Sequence, residues 1–206
     1  MTKVKICGIN SDAAFDATVA AGADYVGFVF FERSPRFITG PQAAALSARQ
    51  VGGPQRVGLF VKPDAAFVQA VLAEVKLDFL QIYGDAALCA EMTRVTGLPV
   101  WRAVGIATPG DLPGAVVAET GFIIEAAAPK DATRPGGNAM TFDWSVLAGW
   151  QAPAPWLLGG GLRADNVAQA INISGAPGVD VSSGVETSPG VKSAVLIRQF
   201  IAAAKS

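Results

Sequence analysis

Residues Val4-Lys5-Ile6-Cys7-Gly8-Ile9 (VKICGI) form a short apolar run that ends in a cysteine and then a glycine. A strand about to turn has this form, with β-branched residues first and then the residue with the freest backbone. The pattern recurs at Tyr25–Phe30, Arg56–Val61, Phe79–Ile82 and Val100–Ala103, and again at Phe122–Ile124, Trp156–Leu158 and Val179–Val181. Apolar residues in these runs are continuous rather than alternating, as in strands covered on both faces.

Stretches with helical periodicity lie between the runs. Ser11 is a suitable N-cap for the segment that follows, and Gly22 is its stop. Pro41 suits a first helical turn. Asp64, Asp85, Thr108 and Asp165 each precede another alanine- or valine-rich stretch, and Val191 to Ala204 reads as a closing helix. Strand and helix alternating eight times predict a parallel sheet with crossover helices. Eight such units can close into a single-domain (β/α)8 TIM barrel over residues 1–206. An open doubly wound sheet is the other arrangement of such units, but the chain lacks the strand-to-helix GxGxxG fingerprint. Ala126 to Met140 (AAAPKDATRPGGNAM) breaks the rhythm and is expected to be a long loop on the active-site face.

Composition narrows the function. Of 206 residues, 51% are hydrophobic and 16% charged, enough for a large core and too apolar for a disordered chain. The net charge is −1 with no basic block, so neither nucleic acid nor an anionic membrane is an expected partner. Cys7 and Cys89 stand far apart, and there is no histidine. A histidine-ligated metal and a histidine general base are therefore excluded. The opening MTKVKICG lacks the form of a secretory signal, and no apolar segment has the length of a membrane span. A cytoplasmic protein with reduced thiols is the expectation.

In a barrel, catalytic groups come from the carboxyl ends of the strands. These ends carry Cys7, then Ser34-Pro35-Arg36, Gln81-Ile82-Tyr83-Gly84-Asp85, Glu125, Gly159-Gly160-Gly161-Leu162, and Asp180 followed by Ser182-Ser183-Gly184. Glycines after strand seven can serve tight turns. Together with Ser182, Ser183 and Gly184 after strand eight, and a helix start beyond them, they also match a phosphate site of backbone N–H groups. Arg36 reads either as a solvated surface residue or as a planar clamp for a carboxylate. Cys89 fits a small buried hydrophobe. Cys7 instead stands where a strand meets the catalytic face, and a thiol there can be a nucleophile or a proton acceptor. A nearby phosphate opposes its ionisation, so a compensating donor or dipole is needed. Glu125 supplies a carboxylic acid. The two form a base–acid pair without histidine, suited to proton transfers on a small phosphorylated substrate.

These motifs resemble the phosphoribosylanthranilate isomerase family of tryptophan biosynthesis. The resemblance is carried by Lys5-Ile6-Cys7-Gly8, by Gly22–Phe30 leading to Ser34–Arg36, and by Val57–Val61, Phe142–Trp144, Gly160–Leu162, Gly178–Glu186 and Pro189–Lys192. It implies an Amadori rearrangement of N-(5′-phosphoribosyl)anthranilate without cofactor or metal, in a monomer or homodimer. By carry-over, Cys7 is the base that takes the C2′ proton. The acid that opens the sugar ring stands at the end of strand six. Arg36 holds the anthranilate carboxylate, Asp180 lies near the sugar hydroxyls, and Gly160, Gly161, Ser182, Ser183 and Gly184 bind the phosphate.

The chain departs from the family pattern twice. Glu125 stands where the family has aspartate, and Tyr83 where QLHGD has histidine. Asp131 is a distant substitute for the acid. Two readings follow: a working isomerase that tolerates both changes, or a sugar-phosphate-binding barrel with impaired turnover. Histidine-pathway barrels of similar chemistry rely on two aspartates, and Cys7 at the first strand argues against them.

Overall fold

Strands β1 (Lys3–Cys7), β2 (Tyr25–Val29), β3 (Gln55–Val61), β4 (Phe79–Tyr83), β5 (Val100–Ile106), β6 (Gly121–Ala126), β7 (Trp156–Leu158) and β8 (Gly178–Val181) pair in chain order. All pairs are parallel, and β8 returns to β1 with Lys5 opposite Asp180, which closes the barrel. The computed structural model describes residues 1–129 and 140–206. The loop expected at Ala126 to Met140 therefore falls mostly outside the described residues, as does Asp131.

Each strand has one face to the barrel interior and one to the helices. Val4, Ile6, Val26, Phe28, Phe60 and Ile124 belong to the main outer core, packed beneath the helices. The opposite faces fill the barrel in layers. Val57, Trp101, Ile123 and Leu157 form a lower cluster, with Tyr25 and Phe79 packed against it. Cys7, Val29 and Leu59 form an upper one, with Phe31, Val61 and Tyr83 against it. The site is thus the top of a filled barrel, with buried Lys5 below Cys7.

Six α-helices cover the strands: α1 (Asp12–Ala20), α2 (Gly40–Ala48), α3 (Ala65–Glu74), α4 (Ala86–Thr96), α5 (Val167–Ser174) and α6 (Ala194–Lys205). Asp64 and Asp85 cap α3 and α4, accepting from Phe67 N at 2.7 Å and Leu88 N at 2.8 Å. Ser11 is the N-cap of α1 without a side-chain bond. Among the described residues, no helix is long and apolar enough to cross a membrane.

The expected eight helices are six among the described residues. After β5, Thr108 opens only a 3-10 turn at Pro109–Asp111. Leu112 is extended at φ −67° and ψ 134° because Pro113 follows, and a residue before proline avoids the helical region. Between β6 and β7 the described structure is another 3-10 turn, Trp144–Leu147. The closing helix also starts later than expected, at Ala194. Val191–Lys192 is instead strand β10, antiparallel to β9 (Glu186–Ser188).

Candidate active site

The turn after Cys7 brings the first two functional groups together. Gly8 takes φ +77°, and a Cβ there would come within 2.6 Å of Arg36 Cδ. The missing side chain thus leaves room for Arg36 to cross over the turn. Backbone N–H groups of Gly8 and Ile9 both donate to the Gly27 carbonyl, at 2.9 and 3.0 Å.

Beyond this turn, a cleft opens at the carboxyl end of the barrel, with about 840 Å³ of empty space that includes open solvent. Cys7, Arg36, Glu125 and Asp180 line it. Gly160, Gly161, Ser182, Ser183 and Gly184 line it as well, so the nine residues expected to act in catalysis or substrate binding border one space. Apolar Phe31, Leu59 and Val61 form one of its walls, and Tyr83 stands beside them.

Cys7 is 3% exposed. Burial pushes its thiol above the ordinary value, Lys5 and Lys192 pull it down, and Asp180 pushes it up. Lys5 lies fully buried beneath the sulfur, with Nζ 2.8 Å from Asp180 Oδ1. Burial opposes the ammonium charge, but Asp180 and Cys7 outweigh it and hold the group above its usual range. On the far side, burial pushes Glu125 up to about 8. Its carboxyl group interacts with the Tyr83 hydroxyl, which partly offsets that effect, and Asp180 adds to it. Tyr83 itself is held well above its ordinary value, by burial first and then by Glu125.

A second charge network holds the rim. Arg36 donates from Nε and Nη2 to Glu186 Oε1 and Oε2 at 2.7 and 2.8 Å, a bidentate pair. Lys192 Nζ reaches Glu186 Oε1 at 2.6 Å, the Ser182 carbonyl at 3.0 Å and Ser182 Oγ at 3.2 Å. Burial works against the Glu186 charge, but Arg36 and Lys192 hold its carboxyl group below the usual range. Ser182 Oγ in turn donates to the Cys7 carbonyl at 3.1 Å. Hence β8, the β9–β10 hairpin and the Arg36 loop are fastened to the end of β1.

The glycine loops meet on the same side. Side chains at Gly160 and Gly161 would run into the Met140 backbone. One at Gly184 would strike the Leu162 carbonyl, so the loops after β7 and β8 pack backbone to backbone. The α-helix expected directly beyond Ser182-Ser183-Gly184 is a single 3-10 turn, Ser183–Val185, because the chain turns into the β9–β10 hairpin before α6 begins. The turn is therefore not followed directly by an α-helix N-terminus, and Lys192, bonded to Ser182, places a positive charge beside it.

Sequence reading passed over Lys5, Glu186 and Lys192, although all three stand inside quoted motifs. A lysine between apolar residues of a buried strand was the available signal for Lys5, since residues two apart share a face.

The family model for N-(5′-phosphoribosyl)anthranilate isomerase matches residues 4–203. The chain belongs to the N-(5′-phosphoribosyl)anthranilate isomerase family. A member of this family from Acidiphilium cryptum is 53% identical over 204 residues, 99% of this chain and 98% of the relative. A Thermotoga maritima phosphoribosyl anthranilate isomerase structure matches with a TM-score of 0.85 at 32% identity, covering 100% of this chain and 99% of that one. Another isomerase structure, in complex with reduced 1-(o-carboxyphenylamino)-1-deoxyribulose 5-phosphate, matches with a TM-score of 0.82 at 30% identity over 100% and 99% of the two chains.

Proposed function

We propose that the chain isomerises N-(5′-phosphoribosyl)anthranilate to 1-(2-carboxyphenylamino)-1-deoxyribulose 5-phosphate in tryptophan biosynthesis. The observation that carries this reading is the pairing, across one cleft, of a thiol beside two lysines with a buried carboxyl group that burial pushes up to about 8. A general acid must hold its proton at the working pH, and Glu125 does so at neutrality. Burial keeps that proton in place against the opposing effect of Tyr83, which favours a working acid over a barrel that only binds.

Glu125 protonates the ring oxygen, the C1′–O4′ bond breaks, and the anilino nitrogen lone pair forms the C1′=N bond. The Cys7 thiolate then takes the C2′ proton, and its electrons move to C1′=C2′ as the iminium becomes an enolamine. Ketonisation adds a proton at C1′ and removes one from O2′, which restores both groups. The arginine edge at Arg36 suits the anthranilate carboxylate, and Phe31, Leu59 and Val61 offer its ring an apolar wall. Gly160, Gly161, Ser182, Ser183 and Gly184 cradle the phosphate, and Asp180 faces the sugar hydroxyls. Binding the two ends fixes the reacting carbons between base and acid. All these groups belong to one chain, so either a monomer or a homodimer carries complete sites.

The test is turnover. Substrate generated in situ should lose its anthranilate fluorescence in the presence of the enzyme, and the product should be the ketose by NMR. Tight binding of the reduced product with no turnover would sink the isomerase reading in favour of a binding barrel.

A further inference from the structure

We propose that Lys5 is a positioning residue for the Cys7 thiolate: its buried ammonium is shared between the Asp180 carboxylate and the Cys7 sulfur, and its charge lets the sulfur ionise beside a bound phosphate. The proposal deepens the reading of Cys7 as the base and rests on it.

Three observations support the assignment. Lys5 and Cys7 are two residues apart on β1 and therefore share the inner face of the barrel. Lys5 lies opposite Asp180 in the β1–β8 ladder, with the two head groups 2.8 Å apart. On the other side, the partner of Cys7 in β2 is Gly27. A Cβ at Gly27 would lie 3.0 Å from Cys7 Sγ and 3.2 Å from Lys5 Nζ, so the sulfur and the ammonium border the same small space. An alanine there would push between them.

Stability alone is a poor reason for the pair. The lower layer of the barrel is filled by Val57, Trp101, Ile123 and Leu157. Replacing a buried ion pair by well-packed apolar groups is often neutral or stabilising. A lysine and an aspartate held in this position point to a task for the charge. The groups around the sulfur define that task. Lys5 lies below it on β1, Asp180 on β8, Lys192 on β10, Tyr83 on β4, Glu125 on β6 and Arg36 on the rim. Arg36 and Lys192 share the single carboxylate of Glu186, and Lys192 also favours the thiolate, whereas Lys5 is the cation paired with Asp180. Without Lys5, Asp180 would face the thiol uncompensated, and an incoming phosphate would add to the same repulsion.

The experiment follows the pH dependence of Cys7 alkylation by iodoacetamide, site by site, by mass spectrometry. Cys89 is an internal reference, because burial pushes its thiol up to about 12. Lys5→Gln should raise the pH midpoint at Cys7 by a unit or more and slow alkylation at pH 8 by about tenfold. Lys5→Arg, which keeps the charge, should stay closer to the parent. Asp180→Asn should move the midpoint the other way. In turnover, Lys5→Gln should lower kcat at pH 8 by about tenfold, with KM within about twofold, since the sulfur and not the substrate is affected. An unchanged Cys7 midpoint in Lys5→Gln overturns the proposal. Should that variant fail to fold, Asp180→Asn decides: a lowered midpoint supports the shared ammonium, and an unchanged or raised one overturns it. Alkylation needs no substrate, so a parent enzyme without turnover would defeat the isomerase reading while the titration still decided the role of Lys5.

Discussion

Glu125 and Cys7 hold their protons in an order that has a kinetic consequence. The productive enzyme needs the thiolate and the neutral carboxyl group together. Burial sets Glu125 near 8 and holds Cys7 above its ordinary value. As pH rises toward 8, the thiolate fraction grows while Glu125 stays protonated, so kcat/KM should climb. Above 8 the gain at Cys7 and the loss at Glu125 cancel, and the rate falls only past the Cys7 value. The free-enzyme profile should therefore have its optimum on the alkaline side, measured as kcat/KM from pH 5 to 10. A peak near pH 6 that has decayed by pH 8 would contradict the assignment. At this scale the sequence was partly legible. Cys7 and Glu125 could be named from their places at strand ends, and Arg36 from the Ser34–Arg36 motif of the resemblance. Lys5 could not, because the reading took VKICGI as one continuous apolar run, whereas the barrel sorts it by alternation into Val4 and Ile6 outside and Lys5 and Cys7 inside.

Among the elements, the β9–β10 hairpin is the piece whose purpose emerges only in three dimensions. Its tip residue Gly190 has φ +84° and packs on the Pro35 carbonyl, and Asn10 Nδ2 donates to the Gly190 carbonyl at 3.2 Å. The hairpin thereby braces the Arg36 loop from outside, while Glu186 grips Arg36 from within and Lys192 holds Glu186. Gly190→Ala adds a methyl group at a left-handed position and directs it into Pro35. The expected result is a KM raised several-fold with kcat nearly unchanged, and a loss of about 1 kcal/mol in urea unfolding. Unchanged KM would mean that the hairpin does not position Arg36. The sequence reading folded Val191 and Lys192 into the closing helix because both tolerate helical positions. Ser193 stops that extension by capping α6, accepting from Leu196 N at 3.4 Å. The expected helix after β5 was lost for a different reason: Pro109, Gly110, Pro113 and Gly114 remove donors and stiffness from the segment that would have formed it.

The whole molecule is a closed barrel whose eight strands were legible from their apolar runs, because parallel strands buried on both sides leave an unbroken signature. Closure itself was inferred from the number of units. The ion pair where β8 meets β1 lay beyond such counting, since it depends on register. Glu125 links the site to global stability. The folded chain keeps its proton up to about 8, whereas the ordinary glutamate value is 4.5. Between those values the native state binds more protons than the unfolded one, so this contribution is full below about 4.5 and is lost as pH rises through about 8. Tm by calorimetry should therefore decline from pH 5 to 9, and Glu125→Gln should flatten that decline. Equal slopes in the two proteins would mean that Glu125 ionises normally.

The most direct measurement compares fluorescence-detected turnover of N-(5′-phosphoribosyl)anthranilate by the parent, Cys7→Ala and Glu125→Gln, with calorimetric binding of the reduced product to each. Each substitution should cut kcat by about 100-fold or more while the reduced product binds within about threefold of the parent, as expected when only the proton-transfer groups are removed. Near-parent turnover by either variant would contradict the base–acid pair.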